Sequence, residues 1–159
     1  YHVWQSIDVI NPAIVVIEYN AVFGDLHSVT IPYRPDFFRT KAHFSNLYFG
    51  ASLQALILLG KEKGYTFVGT NTIGANAFFI RDDLAPKITS LLDSISAYPS
   101  IFREARSHTG KLLLLGGLKR SEIIKNSPLI DLKNKKNTSL YSLGEIYSSS
   151  WRNGKNNIL

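Results

Sequence analysis

Residues 11–20 read NPAIVVIEYN. Asn11-Pro12 marks a turn, and residues 13–17 form an unbroken apolar run rich in β-branched side chains. Such a run predicts a strand buried on both faces, the kind found in a parallel sheet covered by helices. Open α/β sheets bind ligands beyond the carboxyl ends of their strands. Glu18, Tyr19 and Asn20 therefore fall where a ligand crevice is expected.

Upstream, residues 1–9 predict one or two helical turns with Val3, Trp4, Ile7 and Ile10 on one side. Downstream, residues 20–41 predict a long loop carrying Gly24, Pro32 and Pro35, with a short extended piece at 29–31. Loops of that length inside a compact domain are usually functional or flexible. Residues 45–63 carry the strongest helix signal. Leu47, Tyr48, Ala51, Ala55, Leu58 and Leu59 recur at helical spacing, Ser45 can cap the start and Gly64 the end. Lys61 and Lys63 suit the carboxyl-terminal turn, where the helix dipole favours cations.

Residues 65–69 and 76–80 read as strands separated by a turn rich in Asn and Gly, which predicts an antiparallel hairpin. Asp82 or Asp83 can cap a helix running to about residue 97, before Pro99. Residues 100–107 suggest another helical turn or two, 112–115 a short strand and 121–125 a helical turn. The Lys-, Asn- and Ser-rich remainder reads as an extension or partly disordered tail. The element order predicts an α/β fold: the C-terminal half of a Rossmann-like doubly wound sheet, ending in an antiparallel hairpin. Residues 1–98 would form that half-domain, and residues 99–159 a basic, helical or irregular C-terminal extension.

The chain has 159 residues, enough for one domain or part of one. It has no Cys, which excludes disulfides, thiolate metal sites and Cys nucleophiles. It has no Met and opens on the already patterned Tyr1-His2-Val3-Trp4, so the expectation is a piece of a larger domain whose N-terminal portion precedes Tyr1. No signal peptide pattern is present. The apolar stretch 47–60 is too short to span a bilayer and contains Ser52 and Gln54. A soluble, cytoplasmic protein without membrane association is expected.

The net charge of +6 sits in the second half of the chain. Residues 1–80 balance five Lys/Arg against five Asp/Glu, whereas residues 81–159 hold thirteen against seven. Lys111, Lys119, Arg120, Lys125, Lys133, Lys135 and Lys136 form the core of this tract. It reads first as a solvated face and second as a phosphate- or nucleic-acid-binding surface. No RNA-reading aromatic signature or zinc-finger spacing accompanies it, so a nucleic-acid partner is not expected.

Three stretches, IVVIEYN, AHFSNLYFGASL and GYTFVGTNTIGANAFFIRDDL, together with Phe102-Arg103-Glu104, Gly110-Lys111-Leu112 and Pro128-Leu129-Ile130-Asp131, carry a resemblance. Over most of residues 1–135 the chain resembles the C-terminal half of class I S-adenosylmethionine-dependent methyltransferases close to the FkbM type, some encoded near surface-polysaccharide genes. The resemblance implies that IVVIE is strand five, followed by a helix and a hairpin of strands six and seven. It also implies that the glycine-rich cofactor loop and the ribose-binding acid precede Tyr1. S-adenosylmethionine would bind through that missing N-terminal half, and this fragment alone would be inactive.

Under that resemblance Glu18 and His43 are the candidate catalytic residues. Tyr19, Asn20, Tyr48 and Asn76 are candidates for binding a sugar or other small-molecule acceptor. Glu18 would accept a hydrogen bond from the acceptor or help hold a divalent metal, although one carboxylate makes a weak metal site. His43 would be either a general base, for which an imidazole is suited, or a structural histidine bonded to backbone. Asn71 and Asn76 flank a turn, where Asn tolerates left-handed backbone. Gly69 and Gly74 lie between two strands and do not form a phosphate-binding loop. His2, His27 and His108 lack metal-ligand spacing. The expected activity is O-methyl transfer to a sugar or similar metabolite. The alternative is a non-catalytic binding or assembly module in surface-polysaccharide biosynthesis.

Overall fold

The computed structural model describes residues 1–155 and the backbone of 157–158. In chain order the elements are α1 (His2–Ser6), β1 (Ile14–Glu18), a 3-10 turn (Ala21–Phe23), β2 (Val29–Thr30), α2 (Arg39–Ala42) and α3 (Leu53–Glu62). Next come β3 (Tyr65–Thr70), β4 (Asn76–Arg81), α4 (Ala85–Thr89), β5 (Ser96–Ala97) and α5 (Leu118–Ile123). The chain closes with β6 (Leu129–Asp131), β7 (Lys136–Thr138), α6 (Leu140–Leu143), α7 (Ser149–Arg152) and β8 (Asn157–Ile158). This is a mixed α/β fold.

The described residues form three small sheets: β1-β4-β3, β2-β6-β7 and β5-β8. Every strand pair among the described residues is antiparallel. The expected hairpin is there as β3 and β4, with a register shift between Phe67 and Gly69. Because β4 runs antiparallel to both neighbours, β1 and β3 run parallel to each other. They are the first and last strands of the sheet, with α3 lying between them in the chain.

The reading of residues 13–17 as a strand buried on both faces is corrected: β1 is an edge strand. Ile14 and Val16 are 58% and 55% exposed. Val15 and Ile17, on the opposite face, pack against the core. The sequence signal misleads because an apolar run records which faces could be covered, not whether this chain covers them. Among the described residues this edge also has no backbone partner. Bonds from Arg81 N–H to Ala13 O and from Tyr19 N–H to Ala75 O, 3.0 and 2.9 Å, fix the odd-numbered residues as those facing β4. Ladder alternation then aims the N–H and C=O groups of Ile14, Val16 and Glu18 away from the sheet. A groove of about 870 Å³ runs along this edge, lined by Val3, Trp4, Ile10, Ile14 and Val16 among others.

The covered face is held by α3 and α1. Leu53, Ala55, Leu56 and Leu59 are buried on α3. Gly60 admits the Phe79 ring: a Cβ there would lie 2.9 Å from Phe79 Cδ1. Phe79 in turn sits 5.0 Å from the Trp4 ring and 5.5 Å from Phe67, centroid to centroid.

The long helix starts later than its apolar spacing predicts. Ser52, not Ser45, caps it, accepting the Ala55 N–H at 3.2 Å. The preceding segment is captured by backbone pairing: Asn20 N–H to Ala51 O (2.8 Å), Ile31 N–H to Gly50 O (3.1 Å) and Ser52 N–H to Val29 O (2.9 Å). These bonds, with the Thr30–Ala51 bridge, hold residues 50–52 in extended pairing and so delay the helix start. Neither Asp82 nor Asp83 caps α4. Asp83 binds Arg81 at 2.6 Å and Asp82 accepts the Thr66 hydroxyl at 2.8 Å, and the helix is one short turn.

Residues 100–107 are not helical, and residues 112–115 form no strand beyond an Arg106–Leu112 bridge. Far from trailing loosely, residues 118–152 contribute Ile124, Leu129, Leu140, Ile146, Tyr147 and Trp151 to the common core. Trp151 Nε1–H bonds Ala97 O at 3.1 Å, and Tyr147 O–H bonds Val22 O at 3.0 Å. Burial pushes the Tyr147 phenol up to about 12, so it stays a donor. No helix among the described residues is long and apolar enough to cross a membrane.

Candidate active site

The carboxyl end of β1, the first residue of β4 and the end of β3 lie together at one end of the sheet. Glu18 stands directly across from Asn76. Since the even-numbered pairs are the non-hydrogen-bonded ones, their side chains are close neighbours on one face. Glu18 is exposed and borders a small pocket shared with Asn20, Phe49, Phe102, Glu104 and Arg120. Its free volume, about 10 Å³, admits roughly one water-sized group.

Residues 19 and 20 hold this end rigid. Both amide hydrogens of Asn20 are spent, on Leu47 O at 2.8 Å and Phe49 O at 2.9 Å, while its Oδ1 accepts the Val22 N–H at 3.0 Å. The side chain ties the strand exit to the 47–49 loop and caps the following 3-10 turn. Tyr19 donates its hydroxyl hydrogen to Tyr98 O at 2.5 Å, and burial raises its pKa. Tyr48 donates to Pro128 O at 2.5 Å, away from the pocket. The donors of Tyr19, Asn20 and Tyr48 are thus committed inside the protein. Asn71 folds the turn, accepting the Ala75 and Asn76 N–H groups at 3.0 Å each.

His43 is placed apart from the pocket. Its Nδ1 meets the Ser45 hydroxyl at 2.8 Å and accepts the Ser45 N–H at 3.2 Å. The ring proton therefore resides on Nε2. Phe44 lies between His43 and His108, with centroids 4.4 and 3.6 Å away. Burial first, and His108 second, lower the His43 pKa. A depressed histidine pKa means that the fold favours the neutral ring. Its stabilising contribution is complete above the unfolded value, about 6.5, and is lost as pH falls through the lower folded value. Proton NMR titration of the ring is expected to give a midpoint below about 6.5. A midpoint above it would mean that the ring gains, rather than loses, favourable contacts on charging.

Two arginines that are not among the sequence-predicted site residues shape the pocket. Arg39 stacks over Phe49 with Cζ 3.8 Å from the ring centroid, bonds Asn46 O at 2.7 Å and pairs with Glu104 at 2.9 Å. Arg120, assigned by sequence to a solvated basic face, is only 2% exposed. No signal in the sequence separates it from the lysines around it; burial comes from α5 packing on the 3-10 turn. Among the described residues no cluster of three or more His, Asp or Glu has the arrangement to hold a metal ion. Comparison with protein families, curated proteins and solved structures finds no match to this chain.

Proposed function

We propose that this chain is the C-terminal half of a Rossmann-like methyltransferase domain that methylates a hydroxyl oxygen of a sugar or other small metabolite. The observation that carries the reading is the sheet order β1-β4-β3. Two parallel strands flank an antiparallel one inserted from a hairpin, the order expected of strands five, seven and six. The open edge of β1 and the bare apolar face at Ile14 and Val16 support it further, since a parallel sheet continuing past β1 would cover both.

The residues present do not make a cofactor cradle: the described chain has no glycine-rich turn from strand into helix. S-adenosylmethionine would supply the methyl group from the preceding half of the domain. This chain supplies the acceptor wall. Glu18, with its exposed carboxylate at the strand end, receives the acceptor proton, and Asn76 beside it orients the hydroxyl. Asn20 and Tyr19 fix the strand exit. His43, engaged through Nδ1 by Ser45, braces the loop before α3.

Incubating the intact protein with S-adenosylmethionine and a panel of sugars should yield products heavier by one methylene, detected by mass spectrometry. Loss of a general base typically lowers turnover by about a hundredfold or more, and Glu18→Gln should do so here with little change in unfolding midpoint. Unchanged turnover in Glu18→Gln would remove the carboxylate from the chemistry. No methylated product across the panel would count against the reaction itself.

A further inference from the structure

Arg120 is a buried cation with an incomplete set of partners. Its Nη1 donates to Ser100 Oγ at 3.3 Å and its Nη2 to Ser100 O at 2.9 Å. One side of the guanidinium fork is thereby used. The Nε–H is buried and has no hydrogen-bond partner among the described residues. No carboxylate there lies within ion-pair distance of it, and Glu104 is already paired with Arg39. Glu104 attracts the guanidinium without pairing with it, so the buried charge has no direct ion-pair partner and one orphaned donor. Both are costly, and both would be relieved by a ligand with acceptor oxygens. Both belong to a side chain that borders the pocket at the end of β1.

We infer that Arg120 recognises a carboxylate on the acceptor, so that the site takes an acid-bearing sugar or similar hydroxy acid. The Nε–H and the remaining Nη2 hydrogen form a flat two-donor edge matched to the two oxygens of a carboxylate. The free volume of about 10 Å³ holds roughly one water-sized group, so either anion enters only as the pocket wall moves, and a planar carboxylate asks less of that movement than a tetrahedral phosphate. The nearby Glu18 and Glu104 also penalise a dianion more than a monoanion. Phe49 and Phe102 offer apolar walls for the ring that carries the acid. Ser100, next to the Ile101 N–H bond to Ile73 O at 3.1 Å, keeps the guanidinium in place. Access to Nε therefore requires the Phe102 and Glu104 side of the wall to give, a stretch outside any helix or strand. The inference rests on the acceptor site proposed above and specifies its ligand class.

Calorimetric titration of the intact protein, without S-adenosylmethionine, with glucuronate, its methyl ester, glucose and glucose 6-phosphate tests it. Hydrogen bonds to a charged partner are worth enough to expect glucuronate to bind at least about tenfold tighter than the other three. Arg120→Lys keeps the charge but lacks the fork and should lose the preference, as should Arg120→Gln. Lys119→Gln, which removes the same charge from an exposed neighbour, should retain it. Should Arg120→Gln fail to fold, the acid-versus-ester contrast in the unaltered protein and the Lys variant still decide the matter. Equal affinity for acid and ester, no binding of glucuronate, stronger binding of the phosphate, or retained preference in Arg120→Lys would each overturn the inference. Acid-selective binding without methyl transfer would leave Arg120 in its role and remove only the reaction.

Discussion

Phe79→Ala is expected to cost about 3–5 kcal/mol of folding free energy, the range for truncating a large buried aromatic. Phe79 has no solvent exposure and occupies the centre of the sheet on its covered face. It contacts three elements at once: α1 through Trp4, β3 through Phe67 and α3 through the space left by Gly60. No neighbour can fill the void without moving a helix. The ring is also what fastens β4 between its parallel neighbours, so its loss weakens the arrangement that presents Glu18. Urea unfolding followed by Trp fluorescence would measure the change, since Trp4 packs on the ring. A loss below about 1 kcal/mol, the size of a surface change, would show that the three elements do not share this core.

Gly74→Ala is expected to destabilise by about 3 kcal/mol and to disturb the pocket as well. Gly74 has φ of +70°, where a Cβ is strained by about 1–2 kcal/mol. The added Cβ would fall 2.2 Å from Pro99 O and 2.5 Å from Ser100 Cα, both backbone atoms, and relieving such overpacking costs about 1–3 kcal/mol more. The relief must push Ser100 outward, and Ser100 is the residue that holds the Arg120 guanidinium. The variant should therefore lose both unfolding free energy and selectivity for glucuronate over its methyl ester. Unaltered selectivity in a destabilised variant would mean that Ser100 does not position Arg120.

Much of this arrangement is legible in the residues, and the remainder fails for definable reasons. The hairpin of β3 and β4 follows from two β-rich runs around an Asn- and Gly-containing turn, a local signal. The NPAIVVIEYN stretch does form a strand, but its apolar run cannot report coverage, which depends on what lies beside Ile14 and Val16. The spacing of Leu47, Tyr48 and Ala51 looks helical because a loop pinned between Asn20, Ile31 and Val29 buries the same residue types. Glu18 and Asn76 come from separate strands, yet register brings them side by side, and the strand-end rule points to that place. Arg120 is invisible in sequence because burial of a lone cation depends on tertiary packing.

Isothermal titration of the intact protein with S-adenosylmethionine, and with its demethylated product, tests the methyltransferase reading most directly. The expected result is saturable heat for both ligands, with methyl transfer following once an acceptor is added. Absence of heat with either ligand would contradict the assignment of β1, β4 and β3 to a methyltransferase sheet.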